Sequence, residues 1–377
     1  MNRNRRNFLR FALGAGAALS APALAQQWGA RRPMPVPQPA GYRRIATEEA
    51  WAPRTLLDAW AKLLETNPAD EPGFVALWGN LANMGRFTDR LAELGQARLD
   101  DMNAAGIDMQ VLSLTAPGVQ VFDADTAHAL AVDSNDELAE AVRKHPDRYA
   151  GLVAIAPHDP RRAAQEIERG RTRLGLHGVI VNSHTKGEYL ADTKYWEIFE
   201  AAEATNAPIY IHPRDPAPAM LRPFVEHDLH RGDLGFGVEV ALHTLAIINA
   251  GVFDRFPRLK LVIGHGGEGL PYHLYRLDAT WPVRNARMRS AEPPSHYMRR
   301  NVYITNSGVA WEPMVTFAQK VLGEDRVMYA MDYPYQYRVE EVIAMDELPI
   351  SYEAKKKFFQ TNAERVFNLN DARENAA

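Results

Sequence analysis

Eight short apolar runs recur along the chain, most of them followed by a stretch with helical spacing of apolar and polar positions. The runs are residues 44–49, 109–114, 151–156, 178–182, 208–212, 259–264, 302–306 and 327–331. Residues 125–144, 161–174, 193–205 and 312–322 are among the amphipathic stretches between them. Strands that alternate with helices predict an α/β fold with a parallel sheet. Eight such units in about 330 residues predict a single (β/α)8 TIM barrel spanning residues 43–370. The segments after the first, fifth and sixth runs are long, covering 51–98, 214–236 and 279–300. Long loops at the C-terminal face of a barrel build its pocket and lid.

Both ends of the chain read differently. Residues 1–25 hold Arg5-Arg6, then Phe8-Leu9, an Ala/Gly/Leu stretch and the small-residue end Ala23-Leu24-Ala25. That order predicts a twin-arginine signal peptide cleaved after Ala25, and hence a periplasmic or extracellular protein. Residues 11–25 are too few and too rich in Gly and Ala to span a bilayer, so no membrane span is expected in the mature protein. Residues 26–42 are Pro-rich and aperiodic, a linker or arm, and residues 371–377 form a tail.

Composition narrows the chemistry. Of the 377 residues, 46% are hydrophobic and 24% charged, values of an ordinary globular protein. Loss of the signal, which carries four arginines and no acid, takes the net charge from −4 to −8. An acidic chain without a Lys/Arg block argues against nucleic acid as a partner. There is no cysteine. Disulfides and thiol nucleophiles are therefore excluded, and any metal site must use His, Asp and Glu.

The ends of the runs carry that chemistry. The first ends at Glu48 and Glu49, the fourth at Asn182 with His184 two residues on, and the fifth at His212. The sixth ends in His265 and Glu268, and the eighth in Asp332. In a barrel these ends meet at one mouth. Each has a bland alternative: His212 as a packed core residue, Asp332 as a helix cap, Glu48 as a partner of an arginine. Several together are costly to bury unless paired or bound to a metal. Glu48, His212 and Asp332 would form a three-ligand metal site with open positions. Asn182 and His184 face the pocket or the surface, and Trp51 walls the pocket or packs in the core. Gly264, Gly266 and Gly269 also match G-x-G-x-x-G. A dinucleotide fingerprint needs an acid about 20 positions further on, and residues 284–290 hold none. The glycines are better read as a sharp turn that presents His265.

The stretches "ATEEAW", "IYIHPR", "GVFDRFPRLKLVIGHGGEGLPY", "YAMDYP" and "NAERVF" resemble the amidohydrolase-related family. That family contains the hydroxybenzoate and aminocarboxymuconate-semialdehyde decarboxylases. The resemblance covers residues 43 to 369 or so. It implies a metal-dependent barrel with Glu48, His212 and Asp332 as metal ligands. It implies His265 as the catalytic histidine, Glu268 as its hydrogen-bonded partner and Arg276 as a pocket or interface residue. Related proteins are often dimers or tetramers, which makes a homo-oligomer an expectation. Many members have His two residues after the first glutamate, and here that position is Ala50. The remaining ligand set is oxygen-rich, so one divalent ion is expected, with manganese or magnesium as credible as zinc.

Two reactions use these residues. A non-oxidative decarboxylase of a small aromatic or unsaturated carboxylic acid would protonate the carbon bearing the carboxylate, with Asp332 as donor and His265 holding developing charge. A hydrolase of a lactone, ester or amide would activate water at the ion and use the same two residues. A third reading, an inactive binding barrel, has Ala50 as its only support. The motifs do not separate the first two readings; export makes hydrolysis more plausible, and the family resemblance around Glu48, Glu49 and Ala50 favours decarboxylation.

Overall fold

In the computed structural model, residues 36–79, 81–284 and 288–370 are described. The signal peptide, most of the Pro-rich segment and the tail assigned to 371–377 lie outside them. The elements alternate as the apolar pattern predicts. Strand β1 (Ile45–Trp51) leads into helices α1 (Arg54–Glu65), α2 (Pro72–Trp78), α3 (Leu81–Ala92) and α4 (Gln96–Ala105). Then come β2 (Met109–Leu114), α5 (Ala124–Lys144), β3 (Tyr149–Ala154), α6 (Pro160–Thr172), β4 (Gly178–Asn182) and α7 (Trp196–Ala204). Strand β5 (Ile209–His212) precedes α8 (Pro218–Glu226), α9 (Gly235–Asn249) and α10 (Val252–Arg255). Next follow β6 (Leu261–Ile263), α11 (Leu270–Arg284), α12 (Pro294–Arg300), β7 (Val302–Thr305) and α13 (Glu312–Leu322). The chain ends with β8 (Val327–Met328), α14 (Val339–Asp346), α15 (Tyr352–Lys356) and α16 (Asn362–Phe367). The three long segments expected as loops are therefore largely helical.

Local chemistry explains the boundaries. Asp123 caps α5 by accepting from the amides of Asp125 and Thr126, and Arg143 and Lys144 close its last turn. Asp159 caps α6 with Pro160 at the first helical position. Gly106 ends α4 in the left-handed conformation.

The eight strands are parallel and in sequential order, β1 to β8. Strands such as β4 (GVIVN) and β6 (LVI) are buried along their whole length, as expected of a sheet covered on both faces. The sheet closes on itself. The Thr47 amide donates to the Tyr329 carbonyl at 3.1 Å, and the Ala50 amide donates to the Tyr333 carbonyl at 2.7 Å. The described residues thus form a (β/α)8 barrel, and none of their helices is long and apolar enough to cross a membrane.

Candidate active site

Strand register brings the chemistry-bearing ends together. Asn182 of β4 pairs with His212 of β5, and paired residues of neighbouring strands point to the same side. Glu48 reaches the same mouth from β1, where the register with β2 shifts between Ala46 and Glu49. Glu48 Oε1 lies 3.4 Å from His212 Nε2 and 3.2 Å from His265 Nε2. Its other oxygen accepts from the Tyr210 hydroxyl and, at 3.2 Å, from Thr305 Oγ1. His265 Nδ1 meets Glu268 Oε1 at 2.7 Å, which orients the ring with Nε2 toward Glu48.

The turn after β6 is built for close approach. A Cβ on Gly264 would lie 2.4 Å from Glu48 Oε2, so a side chain there would displace the carboxylate. His265 (φ 49°), Glu268 (φ 54°) and Asp332 (φ 65°) are all left-handed. For residues with a Cβ that conformation costs of order 1–3 kcal/mol and clusters at functional sites. Asp332 stands across Gly308: a Cβ on that glycine would be 3.2 Å from Asp332 Oδ2 and 3.4 Å from His265 Cδ2.

The electrostatics follow from this crowding. Burial would raise Glu48, but the His265 and His212 imidazoles and the Tyr210 hydroxyl outweigh it and hold it at about 2. Burial opposes charge on His265, yet the Glu48 and Glu268 carboxylates overcome it and raise the ring to about 10. Asp332 is pushed well above the usual carboxylate range, first by burial and then by the Glu48 and Glu49 carboxylates, with His265 opposing. Burial and the neighbouring carboxylates thus push Asp332 toward its protonated form, while the imidazoles hold Glu48 toward its ionised form.

Glu48 Oε1 and His212 Nδ1 are buried without a hydrogen-bond partner. Glu48 Oε1 and the Nε2 atoms of His212 and His265 converge at 3.2–3.4 Å. Donors bound to one ion at about 2.1 Å sit roughly 3.0–3.4 Å apart. Among the described residues no three His, Asp or Glu side chains close into a complete cage. Glu48 and His212 are the converged pair, and Asp332 borders the same mouth across Gly308. This mixed oxygen and nitrogen set fits a hard or borderline cation.

The remaining expected residues fall in different places. His184 is fully buried, its Nε2 meets the Asp215 carbonyl at 3.1 Å, and its Nδ1 accepts from the Gly187 amide at 3.1 Å. With both ring nitrogens occupied it holds the loop after β4 and offers nothing to a substrate, contrary to expectation. Asn182 donates to the Leu114 carbonyl at 3.2 Å and keeps a buried, unpartnered Oδ1. Trp51 is buried within the core, with its indole N–H unpartnered. Arg276 is exposed and lines a cavity of about 860 Å³ between α9 and α11, which also touches His265 and Glu268.

Sequence reasoning missed Tyr210, Thr305 and the role of Glu49. Tyr210 precedes His212 by two positions on β5, and a period of two places both on one face. Thr305 closes β7 as His212 closes β5. Glu49 accepts from the Met331 amide at 2.9 Å and the Tyr333 amide at 3.3 Å. Burial raises it to about 8 despite those bonds.

The amidohydrolase family model matches residues 42–369. The chain belongs to the amidohydrolase family. It is 34% identical to a gamma-resorcylate decarboxylase of Polaromonas sp. over 291 residues, 74% of this chain and 89% of the relative. A gamma-resorcylate decarboxylase of Rhizobium sp. is 32% identical over 87% of this chain and 99% of the relative. Among solved structures, a 5-carboxyvanillate decarboxylase from Novosphingobium aromaticivorans is 46% identical, with a TM-score of 0.85 over 88% of this chain and 98% of that one. That structure contains manganese and 4-hydroxy-3-methoxy-5-nitrobenzoic acid.

Proposed function

We propose that this amidohydrolase-family enzyme is a divalent-metal-dependent, non-oxidative decarboxylase of a hydroxylated aromatic carboxylic acid, of the carboxyvanillate or resorcylate type. The observation that carries the reading is the convergence of Glu48 Oε1 with the Nε2 atoms of His212 and His265 at 3.2–3.4 Å, at a mouth that Asp332 borders across Gly308. Glu48, His212 and Asp332 would hold the ion. When bound, the ion supplies positive charge that anchors the substrate's carboxylate and neighbouring hydroxyl. We propose manganese, which two decarboxylase relatives of this fold carry and which suits a set with Ala50 in place of a second imidazole.

The protein's own groups then divide the work. Asp332 gives its proton to the ring carbon that bears the carboxylate. The bond to the carboxylate breaks, its electron pair restores the aromatic ring, and CO₂ leaves. Asp332 must keep its proton beside a cation, and its burial next to Glu48 and Glu49 favours that. His265, fixed by Glu268, faces the substrate's oxygen atoms and balances the charge that grows there. Asn182 and Arg276 are the candidate substrate contacts.

Mature protein loaded with manganese should release CO₂ from a panel of hydroxybenzoates and carboxyvanillates. Acid release from lactones or esters without CO₂ would establish the hydrolase instead. We also propose a homo-oligomer, supported by exposed Val238, Leu242, Tyr272 and Tyr275 on α9 and α11; light scattering of the purified protein tests it. Export by the twin-arginine route is our reading of residues 1–25, tested by an N-terminus beginning at Gln26 in secreted material.

A further inference from the structure

We propose that Glu49 is a positioning residue for Asp332, holding the backbone on both sides of it and so setting where its carboxyl points. The inference rests on the role given above to Asp332.

Strand β8 is only two residues long, and the chain beyond it runs beside β1 without a regular ladder. The carbonyls of Tyr329 and Tyr333 are taken by amides of β1. The Met331 and Tyr333 amides go to a side chain instead. The register shift between Ala46 and Glu49 lies on the β2 side of β1; on the β8 side the Glu49 side chain supplies the acceptors. One carboxylate oxygen receives the Met331 amide and the other the Tyr333 amide. Asp332 lies between those two amides with φ 65°. One planar group thus ties the 330–331 and 332–333 peptide units on either side of a left-handed residue. The freedom left to Asp332 is its side-chain torsions.

Glu49 is itself anchored from outside the barrel. Gln110 Nε2 approaches Glu49 Oε2 at 3.4 Å. Arg98 donates to Gln110 Oε1 at 2.7 Å and, through both terminal nitrogens, to the Ala50 carbonyl at 3.0 Å. Its guanidinium also covers the Tyr333 ring at 4.5 Å. Glu49 and Arg98 are fully buried. Burying a carboxylate to tie two amides is an expensive way to close a seam. Its return is a left-handed Asp332 held in one orientation.

The test is a double-mutant cycle on the full mature chain, with Mn²⁺ alone as the binding probe. Glu49→Gln keeps the shape but turns an NH₂ toward one of the amides; Glu49→Asp keeps the carboxyl group and shortens the reach. Glu49→Gln should weaken Mn²⁺ binding about 10–100-fold, the range for groups that orient ligands. On a substrate that the wild type turns over, kcat should fall comparably while KM stays within about threefold. In an Asp332→Asn background the same change should alter Mn²⁺ affinity less than about twofold. Equal losses in both backgrounds, or a lowered Tm with unchanged Mn²⁺ affinity, would make Glu49 a seam fastening only. If Glu49→Gln does not fold, Glu49→Asp carries the same cycle. If the wild type releases no CO₂, the decarboxylase reading fails, while the Mn²⁺ cycle still decides whether Glu49 acts through Asp332.

Discussion

Gly264 shows how little room the mouth leaves. A methyl group there would meet Glu48 Oε2 at 2.4 Å, and Glu48 is already held by Tyr210 and Thr305. Gly264→Ala should weaken Mn²⁺ binding at least about tenfold and destabilise the fold by about 1–3 kcal/mol. Metal titration and urea unfolding measure the two effects; wild-type Mn²⁺ affinity would contradict the crowding argument. Glu268→Gln keeps an acceptor for His265 Nδ1 but removes its charge. It should cut kcat roughly 10–100-fold with metal content unchanged, and an unaltered kcat would remove Glu268 from the machinery. Glu48, His212, His265, Glu268 and Asp332 are legible in the sequence because each ends or follows an apolar run. Tyr210, Thr305 and Glu49 are not, because their partners lie 162, 257 and 282 positions away. Strand period narrows such residues to a face, but only tertiary closure shows what they meet.

Elements were readable where composition changes abruptly. Strands β2 and β4 and helix α13 match the apolar pattern residue for residue. The apolar run 327–331 predicts a longer last strand than is observed, since β8 ends at Met328. Beyond it the amides of Ala330, Met331 and Tyr333 bind the side chains of Asn306 and Glu49 rather than a neighbouring strand. His184 follows the strand that ends at Asn182, and Ser183 (φ 42°) turns the chain between them, leaving His184 fully buried. Helix α9 locks that loop through His243, which accepts from the Leu190 amide at 3.0 Å and meets Ser183 Oγ at 3.2 Å. Burial lowers His243 from 6.5 to about 3. Below about 6.5 the unfolded chain binds a proton here that the folded chain refuses, so this site's stability is present above that pH and lost as pH falls toward 3. His243→Asn should flatten the fall of unfolding free energy between pH 6 and pH 4 by up to about 1.4 kcal/mol per pH unit. An unchanged slope would show that His243 titrates in the folded state as it does in the unfolded one.

At the scale of the whole molecule, the barrel gathers donors from β1, β5, β6 and the end of β8 into one charged mouth, and a cation should complete it. Chelation should abolish CO₂ release, and added Mn²⁺ should restore it. Mn²⁺ at a hundred times its Kd should add about 2.7 kcal/mol of stability, visible as a raised Tm. A protein whose Tm ignores both chelator and Mn²⁺ would argue for a barrel that has lost its metal. Proton transfer from Asp332 to the ring carbon that loses CO₂ is read by turnover in D₂O, with CO₂ and the ring product both measured. The expected outcome is one CO₂ per product, one deuterium at the carbon that carried the carboxylate, and loss of both in Asp332→Asn. Turnover without CO₂, or full deuterium incorporation by Asp332→Asn at the wild-type rate, would contradict it.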